Sequence, residues 1–286
     1  MKLAGMKASW KGLVRRGRPT VMGILNVTPD SFSDGGRHLA AADAVAAAVR
    51  LERDGADILD VGAVSTRPGA APVSVETELE RLLPVLEALG GRLKIPVSVD
   101  TDRARVFSAA LDRGATVLND VTALRGDPEM ASLVANAGCP VVLMHMRGTP
   151  LTMQDAPRYD DVVEDLKAFF DERIDCLVRA GGSPSQCMLD PGIGFGKTLE
   201  HNLEILARIH ELKSLGRPLL LGCSRKSFLG RILDRSEPLG REYATAATTA
   251  RAFHDGVDMV RVHDVRAAVD VIEVLAAIRG ARRKGG

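Results

Sequence analysis

IPVSVD, residues 95–100, is a short apolar run rich in β-branched residues that stops on a carboxylate. A run this short, with apolar residues close together, is the pattern of a strand buried on both faces of a parallel sheet. Seven other runs share the form. Upstream lie VMGILN, ending at Asn26, and DILD, ending at Asp60. Downstream come TVLND to Asn119 and Asp120, PVVLMH to His145, CMLD to Asp190, PLLLGCSRK to Ser224, Arg225 and Lys226, and MVRVH to His263. Nearly every run ends on a side chain capable of chemistry, which a fold made only for stability would not need.

Between the runs lie amphipathic stretches rich in alanine and leucine. Helices are predicted at residues 40–54, 75–89, 103–112, 128–137, 160–179, 199–211, 227–233 with 243–255, and 265–278. Gly55, Gly90, Gly114, Gly138, Gly181 and Gly256 stand where a helix gives way to the next strand, the left-handed cap position. Eight alternations of strand and helix define an α/β protein and are what a closed (β/α)8 TIM barrel requires. A doubly wound open sheet is the competing architecture. Eight units without GxGxxG after the first strand favour closure. The 286 residues suit one barrel of roughly 250 residues with modest insertions. In that fold the carboxyl ends of the strands form the active face, so the polar stops converge on one mouth.

The organisation read from this is a basic N-terminal arm at residues 1–20, one barrel domain at 21–279, and a basic tail at 280–286. The first 20 residues hold six Lys or Arg and no acid, without the apolar core of a signal peptide. Arm and tail are both expected to be solvated. The formal net charge is +1 and aromatics are 3%, Trp10, Tyr159 and Tyr243 being the sole Trp and Tyr residues. Neither a basic stripe nor stacking platforms point to nucleic acid. Nothing approaches the roughly 18 apolar residues of a membrane span. Cys139, Cys176, Cys187 and Cys223 are scattered without metal-ligand spacing, and read as free thiols of a reducing cytoplasm.

Three loops after strands are long, at residues 28–39, 63–74 and 146–157, as binding loops and lids tend to be. They are expected to move when no ligand is bound. DPGIGFGKT, residues 190–198, is not a Walker A loop, because Pro191 stands where glycine is needed, nor GxGxxG, because Lys197 takes the last glycine. Its glycines instead permit a tight turn beside a ligand while Phe195 projects. Asp190 either faces that ligand or only caps its own loop in an Asx turn. Ser224, Arg225, Lys226 and Ser227 open a helix, an arrangement suited to an anion or to ordinary capping. STRP, residues 65–68, offers hydroxyls and a guanidinium to a phosphate. Arg261 and His263 alternate onto one side of their strand. Cations from three strand ends imply a polyanionic group. Asp100, Asn119 and Asp190 suit the amide and amino edges of a planar heterocycle, or else form salt bridges with those cations. His145 reads equally as packed or as a ligand contact, while His38, His201, His210 and His254 read as solvated.

The ordered set MGILNVTPDSFSDGG, DVGAVSTRPGA, VSVDT, LNDV, VVLMHMRGTP, LDPGIGFGKT, GCSRKSFLG and VRVHDV closely resembles the dihydropteroate synthase family, over about residues 21–278. The resemblance implies a TIM barrel, usually homodimeric, acting as a transferase of folate biosynthesis. It would condense a 6-hydroxymethyl-7,8-dihydropterin diphosphate with p-aminobenzoate, giving 7,8-dihydropteroate and diphosphate. It implies that Asp100, Asn119, Met144, Asp190 and Lys226 hold the pterin. Asn26, Thr66, Arg67, Arg261 and His263 would hold the diphosphate, with Asn26 ligating Mg2+. Phe32, Pro68, Phe195 and Ser227 would hold p-aminobenzoate, a site open to sulfonamides as competitors. Chemistry would fall to Asp100, Asp190, Lys226, Arg261 and His263.

Two stretches depart from the family pattern. Gly62, Ala63, Val64 and Ser65 stand where Gly-Gly-Glu-Ser is common, and Thr122 and Ala123 follow Asn119 to Val121 where Ser-Gly is common. Neither removes a residue assigned a role. Rival readings are a pterin-binding methyltransferase module, which has no diphosphate to hold, and a noncatalytic pterin-binding paralogue.

Overall fold

Eight parallel strands and the helices that follow them account for almost every apolar run in the chain. The computed structural model describes residues 9–28, 37–65 and 69–282, except for the side chains of 37–40 and 282. Phe32, Thr66, Arg67 and Pro68 therefore lie outside the described residues, as do the first eight and last four. The strands are β1 (Thr20–Asn26), β2 (Ile58–Gly62), β3 (Val97–Asp100), β4 (Val117–Asp120), β5 (Val141–Met144), β6 (Cys187–Asp190), β7 (Leu220–Leu221) and β8 (Met259–Val262). The helices are α1 (Arg37–Arg53), α2 (Val75–Leu89), α3 (Ala104–Leu111), α4 (Met130–Ala137), α5 (Val162–Arg179), α6 (Leu199–Ala207), α7 (Ser227–Leu233), α8 (Glu242–His254) and α9 (Val265–Arg282).

Hydrogen-bonded order runs β6-β5-β4-β3-β2-β1-β8-β7, all parallel. A bridge between Leu189 and Leu219 joins the two ends, with Leu189 N–H donating to Pro218 O at 2.9 Å. The barrel is closed, and the open sheet falls away. Helix bounds agree with the hydrophobic period to within a few residues. The exception is the stretch predicted at 199–211, where α6 stops at Ala207 and a 3-10 helix takes over at Ile209–Leu215. One cap is also displaced: Gly90 has φ −49°, and Gly91, at +71°, makes the reversal instead.

Because side chains alternate along a strand, the barrel interior is layered. Met22, Ile58, Val117, Val142, Met188, Leu220 and Met259 form one buried apolar cluster. Two residues further along the same strands stand Ile24, Asp60, Asn119, Met144, Asp190, Gly222 and Arg261, and β3 adds Asp100 at this level. A single step of the strand period thus changes the interior from apolar to polar. Chemistry is confined to the carboxyl end.

The expectation of a solvated arm fails at Trp10. Its side chain is 3% exposed, belongs to the lower apolar cluster, and donates through Nε1 to Gln186 O at 2.8 Å. Leu13 and Val14 pack beside it. Six cations dominate the composition of this segment, but one indole decides its position, because an aromatic ring that large gains more from burial than neighbouring charges lose. Residues 9–14 close the floor of the barrel.

Candidate active site

The upper layer holds a connected set of buried charges. Arg261 donates through Nε to Asp60 Oδ2 at 2.7 Å and through Nη2 to Asp100 Oδ2 at 2.9 Å. Asn119 Nδ2 donates to the same Asp60 Oδ2 at 2.9 Å. Strand register explains the convergence: Gly62 lies beside Asp100, and Asp100 beside Asn119. Gly62 also keeps space open, since a Cβ there would stand 3.4 Å from that of Asp100. Asp60 has no exposed surface, and its Oδ1 is buried without a hydrogen-bond partner.

Burial pushes the Asp100 carboxyl up to about 7; Arg261 pulls it down and Asp60 pushes it up again. Burial also opposes the charge on Arg261, but Asp60 and Asp100 outweigh it and leave the guanidinium more firmly protonated than usual. Asp100 can therefore change its hydrogen-bonding role near neutral pH, and Arg261 cannot. Two of the three Arg261 nitrogens, Nε and Nη2, are taken by Asp60 and Asp100, so only Nη1 is turned to neither carboxylate. The guanidinium is clamped between two carboxylates in the polar layer of the barrel.

Asp190, across the mouth, caps its own loop through one oxygen and leaves the other turned to the polar layer. Its Oδ1 accepts from Gly192 N–H at 2.8 Å, the Asx turn. Its Oδ2 faces the gap above Gly222, where Lys226 Nζ also lies, each 3.9 Å from a Cβ placed on that glycine. Burial raises the Asp190 carboxyl and lowers the Lys226 ammonium, while each counters the shift of the other. Lys226 donates to Ile193 O at 2.5 Å and sits 4.7 Å above the Phe195 ring, so one cation ties the 190–198 loop to the start of α7. Val121, Met144, Met146 and Met153 form an apolar wall with Phe195 against it. Met153 is 2% exposed, Gly69 N–H donates to Pro150 O at 3.0 Å, and Gln154 Nε2 to Gly194 O at 2.9 Å. These contacts tie the loop at 146–157 to Gly69 and to the 190–198 loop.

Asn26, half-buried, ends β1 beside Gly62. Ser227 is exposed at the first residue of α7, with Lys226 as its N-cap. His263 N–H donates to Ser224 Oγ at 3.2 Å, and that oxygen lies 2.9 Å from His263 Nδ1.

His145 resolves to packing, because it alternates outward from Met144. Its ring meets Phe169 edge-on at 4.7 Å, and Lys197 Nζ lies 2.9 Å from its Nδ1 and 3.0 Å from Phe195 O. Burial and Lys197 push the imidazole down to about 2, so it is neutral. His201 is not simply solvated: its Nδ1 accepts from Thr198 N–H at 3.2 Å and caps α6. Asp120 caps its own loop, accepting from Thr122 and Leu124 N–H, and burial raises it to about 6. That capping holds Ala123 and Leu124 at φ 53° and 65°, a geometry that suits the glycine common in the family better than Ala123.

Neither spacing nor the family resemblance assigns Asp60 a role. The available signal was an acid within the buried run ILDVG, which requires a cation at the same level, and MVRV supplies one.

Residues 22–263 match the family described as pterin binding enzyme. A dihydropteroate synthase of Synechocystis sp. is 47% identical over 261 residues, covering 91% of this chain and 90% of the relative. A crystal structure of the Yersinia pestis dihydropteroate synthase with a sulfonamide drug complex superposes with a TM-score of 0.87 at 44% identity, covering 92% of this chain and 95% of that one. The Xanthomonas albilineans dihydropteroate synthase with 4-aminobenzoic acid gives 0.86 at 46% identity, covering 92% and 93%.

Proposed function

The chain belongs to the dihydropteroate synthase family of pterin-binding enzymes, and from that premise we propose how its mouth divides the work. The reaction joins the methylene carbon of 6-hydroxymethyl-7,8-dihydropterin diphosphate to the amine of p-aminobenzoate, releasing diphosphate. The observation that carries the assignment is the single layer in which Asp60, Asp100, Asn119, Asp190 and Arg261 meet. Donors and acceptors so closely paired favour a heterocycle with complementary edges and reject analogues that leave a buried polar group unpaired. Asp100, Asn119, Asp190 and Lys226 hold the pterin, with Met144 against its ring.

Departure of diphosphate leaves positive charge on the methylene. Asp100 and Asp190 offset it in a site where water is scarce, which suits a dissociative displacement. An arylamine is neutral at pH 7, so its nitrogen attacks without a strong base. His263, Arg261, Thr66 and Arg67 take the diphosphate oxygens. Arg261 Nη1, the nitrogen not turned to a carboxylate, is the one available to them. Phe32, Pro68 and Phe195 enclose the p-aminobenzoate ring, and Ser227 takes its carboxylate. Sulfonamides compete there.

Asn26 offers one neutral oxygen, and among the described residues no group of three or more His, Cys, Asp or Glu side chains could hold a metal unaided. That donor set fits Mg2+ carried mostly by substrate phosphates and water. The bound ion would neutralise charge on the leaving group.

Steady-state release of diphosphate, followed with and without p-aminobenzoate and Mg2+, tests the reading. Release dependent on both p-aminobenzoate and Mg2+ is expected, with sulfonamide inhibition relieved by added p-aminobenzoate. Tight pterin binding without product under any condition would sink it.

A homodimer is the second part of the proposal. Tyr243 is 86% exposed, Leu239 65% and Ile232 50%, all from α7, α8 and the turn between them, an apolar group unusual for solvent. Tyr243→Glu should convert a dimer into a monomer in sedimentation; a wild-type chain that sediments as a monomer contradicts this. Among the described residues no helix is long and apolar enough to cross a membrane. The four free cysteines support a reducing, cytoplasmic setting.

A further inference from the structure

Ser224 and His263 form a pair that the division of labour above leaves unexplained. β7 runs beside β8 with Leu221 opposite Val260, so continuing that register brings Ser224 level with His263 where both chains leave the barrel. Ser224 is 7% exposed and its oxygen has two partners, both on His263: the backbone N–H at 3.2 Å and ring Nδ1 at 2.9 Å. We propose that Ser224 is a positioning residue, whose hydroxyl donates to His263 Nδ1 and so holds the imidazole as the tautomer with its proton on Nε2.

The argument is one of hydrogen-bond satisfaction. A hydroxyl carries one hydrogen and two lone pairs. One lone pair accepts the His263 backbone N–H, which fixes the oxygen. The hydroxyl hydrogen then needs an acceptor, and an almost fully buried hydroxyl without one costs free energy. Ring Nδ1, when unprotonated, is the acceptor in reach. Accepting at Nδ1 obliges the neutral ring to carry its proton on Nε2, the nitrogen facing away from Ser224. Since the backbone N–H and the ring of one residue grip a single oxygen, rotation about the side chain is restrained as well.

This inference rests on the proposal that His263 meets the diphosphate. A ring with Nε2–H turned away from Ser224 is a ready donor to a departing phosphate oxygen. The opposite tautomer would present a lone pair to an anion. Ser224 thus sets the sign of the contact as well as its direction, and neither substrate need touch it.

Long-range 1H–15N spectra of the 15N-histidine-labelled full chain, at a pH where His263 is neutral, read the tautomer directly, with His263→Asn used to assign the signal. A pyridine-type Nδ1 and a pyrrole-type Nε2 are expected. Ser224→Ala should mix the two tautomers and lower kcat/KM for the pterin diphosphate about tenfold, the scale of one lost hydrogen bond. KM for p-aminobenzoate should stay unchanged, and Ser224→Thr should restore both the spectrum and the rate. A pyrrole-type Nδ1 in the wild type would overturn the proposal: the ring would then donate to Oγ and the hydroxyl to water. So would a Ser224→Ala spectrum identical to wild type. Failure of the wider reading looks different, since inactive wild-type protein leaves the tautomer measurement intact.

Discussion

Asp60→Ala should lower stability by about 3–5 kcal/mol, the usual cost of stranding the partner of a buried ion pair. It should also reduce kcat/KM for the pterin diphosphate by about a hundredfold or more, equivalent to about 3 kcal/mol. The reason is that one oxygen, Asp60 Oδ2, holds both Arg261 Nε and Asn119 Nδ2, at 2.7 and 2.9 Å. Removing it frees a buried guanidinium to swing fully onto Asp100 and leaves the Asn119 amide unoriented, which disturbs two of the proposed pterin contacts at once. Urea melts and initial rates measure the two effects.

Asp60→Asn separates charge from shape. Burial, with Asp60 adding to it, holds Asp100 up at about 7, while Arg261 opposes. Without the Asp60 charge, Arg261 is left to Asp100 alone and the Asp100 carboxyl becomes more acidic. The folded carboxyl binds its proton more tightly than the unfolded one, so its contribution to stability is present at low pH and is lost as pH rises from about 4 through about 7. Asp60→Asn should shrink that loss and move the acid limb of kcat/KM to lower pH. An unmoved limb beside intact folding would mean that the two carboxylates are not coupled.

The architecture and much of the mouth were legible because both follow from period. Buried parallel strands leave apolar runs, and the residue ending each run points where the strand period sends it. Asp100, Asn119 and Asp190 could therefore be placed without coordinates. What period does not encode is partnership across the barrel. Asp60 and Arg261 are 201 residues apart and meet only because β2 and β8 flank β1. The same blindness applied to Trp10, whose partner Gln186 is 176 residues away and whose adjacent residues in the sequence are Ser9 and Lys11. Composition averages such a segment into a solvated arm, whereas packing follows its single largest apolar surface. His145 shows the converse case. Its alternation with Met144 already turned it away from the mouth, and only its identity as a histidine kept a ligand role open.

Gly192→Ala should be the most damaging change to the 190–198 loop, costing about 4 kcal/mol and most of the pterin affinity. Gly192 has φ +64°, a conformation that costs alanine about 1–2 kcal/mol. A Cβ there would stand only 1.9 Å from His145 O, so the loop must lift away from β5. Lifting it breaks the Gly192 N–H contact that aims Asp190, at 2.8 Å, and pulls Ile193 O from Lys226. Gly194→Ala is the internal control. Its φ is +85°, but the nearest atom to a new Cβ is Lys226 Cδ at 3.6 Å, so the expected loss is the conformational cost alone, about 1 kcal/mol. Chemical melts and titration with the pterin substrate distinguish the two variants. Equal losses would show that the loop yields freely, and that its glycines serve backbone conformation and not the close approach that seats Asp190.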